Sequence, residues 1–74
     1  MKRYKRGYIE HEGSYIDVQV AKITVTEDCG LEEIEEDWLA GFSGFESKDE
    51  AIQFLKQKYN VKEIVDEDYK IIKV

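Results

Sequence analysis

The sequence contains no proline, one cysteine (Cys29) and one histidine (His11). A single thiol excludes an internal disulfide and a cysteine-based zinc site, and it fits a reducing compartment. No apolar run approaches the ~20 residues that a membrane-spanning helix needs. The basic start of the chain leads into no apolar segment of the kind found in signal peptides. These absences predict a cytoplasmic protein.

Basic residues are missing from a long central stretch, between Lys22 and Lys48. The chain has 17 acidic and 11 basic residues and a net charge of −6, and such a field repels the phosphates of nucleic acids. Seven acids occupy the eleven positions from Glu27 to Asp37. Like charges on neighbouring turns of a helix cost about 0.3 kcal/mol per pair, so this acidic run is unfavourable for folding alone.

The size and composition predict one globular domain over residues 1–74. The apolar fraction is 42%, too large for a disordered chain. A chain of this length buries only about 60% of its extended surface, so we expect a single small core.

The first third of the sequence is typical of a β-hairpin. Apolar and polar residues alternate between residues 4 and 25, as on half-buried strands, and residues 12–14 supply a turn. The alternation changes parity between Val18 and Ile23. We therefore expect a β-bulge or a bend at Val20–Lys22.

The acidic segment has the spacing of a helix. Leu31, Ile34, Trp38 and Phe42 recur at three, four and four residues, which predicts one buried helical stripe with Trp38 in the core. Cys29 would then be a small buried residue at the start of this helix.

A second helix is predicted after Ser47, because residues 47–50 have the capping-box pattern and Asn60 is a suitable C-terminal stop. Residues Tyr69 to Val74 predict a closing strand. The expected fold class is α+β, with a small curled antiparallel sheet (the N-terminal hairpin plus the C-terminal strand) packed by two short helices.

No catalytic, metal or cofactor signature is present. His11 has no metal partner or nucleophile near it in sequence, and a structural role is expected. Carboxylate catalysis needs two acids in unlike environments, whereas adjacent glutamates on a solvated face titrate alike. We expect a protein that is not an enzyme and needs no metal or cofactor.

The acidic segment is the main candidate for function. One interpretation is a solvated face that keeps a small domain soluble. The other is a docking surface for a basic protein partner, including a groove that normally holds nucleic acid. An inhibitor or regulator of this kind, such as a virus-encoded anti-defence protein in the host cytoplasm, is the preferred hypothesis. The expected partner-binding residues are Asp28, Glu32, Glu33, Glu35, Glu36 and Asp37.

Tyrosines are interleaved with basic residues near the N-terminus, and this is the one pattern in the sequence that is typical of nucleic-acid binding. Aromatic rings can stack on single-stranded bases while cations hold phosphate; the other interpretation is a charged edge strand that resists aggregation. The alternative nucleic-acid-binding residues are Arg3, Tyr4, Lys5, Arg6 and Tyr8.

Residues 31–61, "LEEIEEDWLAGFSGFESKDEAIQFLKQKYNV", resemble the C-terminal half of ASCH domains, small relatives of the PUA fold. The resemblance implies a curled sheet with helices at its rim and binding of RNA or a modified nucleoside. The family's N-terminal "G-x-K-x-x-E-x-R" segment is absent, and Ser43 stands where a glutamate usually precedes the Gly-Phe pair. The resemblance therefore implies a trimmed, non-catalytic form instead of an amidohydrolase. The matching positions are Leu31, Glu33, Ile34, Asp37, Gly44, Phe45, Ser47, Glu50 and Tyr59.

Overall fold

A computed structural model describes all 74 residues and shows one five-stranded mixed sheet with one helix. Strands hold 62% of the residues and the helix 16%. The expected fold class, with two short helices on a small antiparallel sheet, is therefore wrong. The elements are β1 (Lys2–Glu12), β2 (Tyr15–Asp28), β3 (Leu31–Phe45), α1 (Lys48–Tyr59), β4 (Glu63–Val65) and β5 (Ile71–Lys73).

The strands lie in the order β3-β2-β1-β4-β5. The first three form an antiparallel meander, β4 is parallel to β1, and β5 returns antiparallel to β4. Helix α1 carries the chain from β3 at one edge across the sheet to β4, beyond β1. The two edges differ greatly, since β3 has 15 residues and β5 has three.

Residues 31–45 form strand β3 where a helix was expected. The four residues with helical spacing lie on both faces of this strand: Ile34 and Trp38 share one face, and Leu31 and Phe42 lie on the other. A bulge separates Trp38 from Phe42, because Ala40 pairs with Val20 and Trp38 with Ala21, which leaves Leu39 as an additional residue. A bulge changes which face the following residues occupy, and apolar residues on both faces mimic a helical stripe. Pairing along β2 satisfies the backbone groups of β3 that face it, and this pairing across the turn at Cys29–Gly30 overrides local preference.

The predicted turn of the hairpin is confirmed, but the bulge or bend expected at Val20–Lys22 is not found in the hairpin, because β1 and β2 pair without a register shift. The chain turns at Gly13–Ser14, and a register shift between Val20 and Ala21 lies instead in the pairing of β2 with β3. The additional residue belongs to β3, so β2 itself continues without a bulged residue. Because β2 has no bulge, Val20 and Ala21 point to opposite faces of the sheet, and both are buried.

Helix α1 packs on one face of the sheet against β1, β2 and β3 and closes the core. Leu55 is fully buried there and lies directly over Gly7, where an added Cβ would be 2.7 Å from its Cδ1. Gly7 therefore permits close approach of the helix to the sheet. The core cluster comprises Ile9, Ile16, Val18, Val20, Ala51, Leu55, Val61 and Ile64.

The predicted ends of α1 are confirmed. The Ser47 hydroxyl accepts a hydrogen bond from the Glu50 N–H (3.1 Å), and Asn60 adopts the left-handed conformation at the C-terminus. The Glu50 carboxylate accepts a hydrogen bond from the Glu46 N–H (3.3 Å). The reciprocal bond of the capping box therefore comes from the residue before the N-cap Ser47 instead of from Ser47 itself.

Candidate binding surface

The outer edge of β3 carries the acidic segment. Residues 31–38 pair with residues 28–21 of β2 without a register shift, and no strand lies on their other side. Alternate backbone N–H and C=O groups of an antiparallel edge strand point away from its neighbour. We call residues Leu31–Trp38 the acidic edge; it presents a row of backbone groups with no partner in the sheet.

Large apolar side chains are exposed between the acids. Leu31 is 72% exposed, Ile34 60% and Trp38 57%, and Leu39 in the adjoining bulge is 48% exposed. The expectation of Trp38 as a core residue is therefore wrong, because the segment is an edge strand with one side in solvent. A single surface aliphatic group is ordinary, but here Ile34 and Trp38 are exposed together on one face of the strand and Leu31 is exposed on the other.

Five of the six expected partner-binding acids lie on the acidic edge, but a strand separates them onto two faces. Glu33, Glu35 and Asp37 pair with even-numbered residues of β2, on the face that α1 covers farther along, whereas Glu32 and Glu36 point to the opposite, open face. A helix would have grouped them differently. Asp28 ends β2, beside the turn that joins it to β3.

Cys29 lies in this turn, is exposed and has a φ of 53°. The expectation of a small buried residue at a helix start is wrong, since no helix begins there.

Most of the acidic edge lacks ionic partners. The chain has five ion pairs, and of the seven acids from Glu27 to Asp37 only Glu36 takes part in one. Glu32 lies directly opposite Glu27 in the pairing of β3 with β2. Like charges in directly opposed positions destabilise a sheet. The acidic edge is therefore electrostatically unfavourable in the isolated chain.

A polar and aromatic network occupies the open face of the sheet. Arg6 Nε donates to Glu63 Oε1 at 2.6 Å, and its terminal nitrogens donate to the hydroxyls of Tyr8 (3.2 Å) and Tyr4 (3.3 Å). The Tyr8 hydroxyl donates to Glu36. The network thus joins one expected partner-binding acid to three of the alternative nucleic-acid-binding residues.

The pKa values within this network follow burial and pairing. Burial alone would lower the pKa of Arg6, but its hydrogen bonds with Tyr8 and Glu63 raise it. Burial raises the pKa of Tyr8, helped by its bond to Glu36. Burial would raise the pKa of Glu63, yet Arg6 and Lys73 lower it overall. Arg6 therefore stays charged, and carboxylates beside it already balance its positive charge.

The remaining basic residues near the N-terminus do not form one patch. Arg3 and Lys5 alternate with Tyr4 and Arg6 along β1, so they occupy the other face of the sheet. The Lys5 Nζ lies 6.0 Å from the centre of the Tyr59 ring on that face. The basic residues that are clustered in sequence are thus divided between two faces of the sheet, and Arg6 among them is already ion-paired.

Two depressions flank Gln19 on the open face. One, of about 470 Å³, is lined by Trp38, Gly41 and their neighbours; the other, of about 430 Å³, lies between Tyr8 and Tyr69. The Tyr8 and Trp38 rings have centres 5.3 Å apart at 50°. Both depressions are open surfaces, and no group of three or more His, Cys, Asp or Glu side chains could hold a metal ion.

His11 lies at the rim of the second depression, where its Nδ1 is 2.8 Å from Glu67 Oε2. This contact agrees with the expected structural role of His11.

Sequence interpretation missed the partners of Arg6 and the exposure of Trp38. Glu63 is 57 residues from Arg6, and no local pattern links positions so far apart. The exposure of Trp38 was missed because a helix was predicted for this segment. Ile34 and Trp38 have the same parity, but Glu36 between them is acidic, so the segment shows no clear strand alternation.

No protein-family model, curated protein or solved structure matches the chain. The resemblance to ASCH domains stays a prediction. The single helix is too short and too polar to cross a membrane.

Proposed function

We propose that this chain is a small, non-catalytic binding protein that docks through its acidic edge on a basic protein surface. The observation that supports it most is the combination on one free strand of unpaired carboxylates with Leu31, Ile34 and Trp38 exposed between them. Interfaces gain affinity from exposed aromatic and aliphatic anchors and gain specificity and association rate from charge complementarity.

The acidic edge is better suited to a partner than to stability. A strand kept only for solubility would mix bases with acids, and opposed Glu27 and Glu32 would be avoided. A basic partner would relieve this repulsion on binding. The free energy that the isolated chain loses at this edge would thus be recovered in the complex.

The biological role that fits this chemistry is inhibition or regulation of a protein that itself binds nucleic acid. Carboxylates spaced along a strand can occupy the lysine and arginine positions that otherwise hold phosphates. A cytoplasmic protein, including a virus-encoded anti-defence protein acting in its host, would use such nucleic-acid mimicry.

A charge-reversal experiment tests the proposal. Glu32, Glu33 and Glu35 are changed to Lys, and the matched control changes Glu10, Glu12 and Glu46, three exposed acids away from the acidic edge, to Lys. Both variants gain the same charge. We expect an immobilised lysine- and arginine-rich peptide to retain the wild type and the control but to lose the edge variant, with affinity falling as salt rises. Equal retention of both variants would contradict the proposal.

A second candidate is binding of RNA or a modified nucleoside by the open face, as the ASCH resemblance implies. The observation in its favour is that Tyr4, Tyr8 and Trp38 share this face with Arg6. The engaged charge of Arg6 and the neighbouring carboxylates weigh against it. Tight binding of a single-stranded oligonucleotide, lost in Tyr8→Ala and unaffected by reversal of the edge acids, would favour this candidate.

A further inference from the structure

We infer that the partner of the acidic edge contributes an extended segment that pairs with β3 as a sixth strand, with basic and apolar residues in alternation. This inference rests on the proposed function and specifies its chemistry. Addition of a strand to an exposed sheet edge draws affinity from backbone hydrogen bonds and specificity from alternate side chains.

The backbone of β3 is suited to pairing over residues 31–38. This stretch has an unbroken register with β2, while both irregularities of β3 lie beyond it, at Leu39 and next to Gly44. Proteins protect free edges with charged side chains, proline, bulges or shortness. Within Leu31–Trp38 the acidic edge has only one of these, charge, and all of it is negative, whereas the opposite edge, β5, has only three residues.

A second copy of this chain is a poor occupant of the edge. Pairing two acidic edges would bring up to five carboxylates from each strand together, and directly opposed like charges are destabilising. The acids therefore suppress self-association while leaving the backbone free. Only a strand that carries positive charge gains from the same residues.

The two faces of β3 specify different side chains in the added strand. On the side facing α1, Glu33, Glu35 and Asp37 have no ion pairs and call for Lys or Arg opposite them. On the open face Ile34 and Trp38 are exposed, and Glu36 between them already accepts from Tyr8. This face calls for apolar groups opposite Ile34 and Trp38, and for a base only near Glu32 at its end, which has no ion pair. The complementary strand thus alternates basic and apolar residues.

A capped peptide of alternating valine and lysine or arginine tests the inference against the full chain. Its binding is followed by the fluorescence of Trp38, the only tryptophan, and by hydrogen exchange of the amides of residues 31–38. A peptide of the same composition, with the basic residues in one block, is the control for charge. Two further versions carry backbone N-methyl groups on either the odd or the even residues, because a paired strand presents only one of these sets to its neighbour.

We expect one methylated peptide to bind at least about tenfold more weakly than the parent, through loss of several backbone hydrogen bonds, while the other binds as the parent does. We also expect slowed exchange at alternate amides of residues 31–38. Binding that is equal for all four peptides, or an equal loss for both methylated ones, would overturn strand addition. If the four peptides bind equally but the reversal of Glu32, Glu33 and Glu35 abolishes binding, docking through side chains survives without strand addition. If no peptide binds, the proposed function and this inference both fail.

Discussion

The two parts of β3 pair with the same strand but differ in what covers them. In residues 40–45, the Phe42 and Phe45 rings have centres 4.9 and 5.0 Å from that of Phe54 of α1. In the acidic edge, residues 31–38, the large apolar side chains remain exposed. Backbone pairing with β2 is common to both parts, so it is sufficient to define the strand. The side chains of the acidic edge are therefore not committed to the core and are available for binding.

The largest expected difference is between a core leucine and the exposed tryptophan. Leu55→Ala should lower the free energy of unfolding by about 3 kcal/mol, because it leaves a cavity in the closed core. Trp38→Ala should cost about 1 kcal/mol or less, mainly its contact with Tyr8. Urea unfolding followed by circular dichroism measures both. A greater loss in Trp38→Ala than in Leu55→Ala would show that the edge is part of the core.

The Arg6–Glu63 pair provides the next largest effect, on the open face. The Glu63 side chain is only 6% exposed, so Arg6→Leu leaves a nearly buried carboxylate with Lys73 alone. We expect a loss of about 3 kcal/mol, and the double change to Leu at both positions should recover much of it. Denaturant unfolding of the wild type, Arg6→Leu, Glu63→Leu and the double variant gives the double-mutant cycle. A double variant no more stable than Arg6→Leu would contradict this account.

Acid should weaken the same network. Because the folded protein has a lowered pKa for Glu63, the stabilisation is present above the unfolded value of 4.5 and is lost as pH falls from there through the folded value. Asp66, whose pKa is lowered chiefly by the Lys70 backbone N–H, behaves alike below 3.8.

Melting temperature measured across this acid range should fall steeply in the wild type. In the Glu63→Gln, Asp66→Asn variant it should start lower and fall less, because the variant lacks both carboxylates. Parallel curves for the two proteins would assign the acid sensitivity to other groups.

The smallest expected effect has the opposite sign. Glu32→Lys replaces the opposed pair with Glu27 by one of unlike charge, and we expect about 0.5 kcal/mol of stabilisation. The control is Glu12→Lys, which should change stability little. Careful denaturant midpoints in low salt resolve this difference. A variant that is more stable but binds less would show that the acidic edge trades stability for binding, whereas destabilisation would indicate an unrecognised role for Glu32.

Local patterns predicted the elements whose stabilising contacts are close in sequence. The helix from Lys48 to Tyr59 begins at the Ser47 cap and ends at Asn60, and each of these signals acts within a few residues. The hairpin turn at Gly13–Ser14 follows the same rule. The acidic residues of the candidate surface were also identified, because charge is read directly from the sequence. Their arrangement was not, since the spacing of Leu31, Ile34 and Trp38 suits a helix as well as a strand with apolar residues on both faces.

The acidic charge, the capped helix and the hairpin turn could be read from the sequence alone. The fold was needed to show that residues 31–45 are a strand, because pairing along the whole of β2, from Leu31 opposite Asp28 to Phe45 opposite Ile16, outweighs their helical spacing. It also decided that Arg6 meets Glu63 and that Trp38 is exposed. Such contacts depend on which strands become neighbours, and neighbouring strands are selected by the energy of the whole sheet instead of by any short segment.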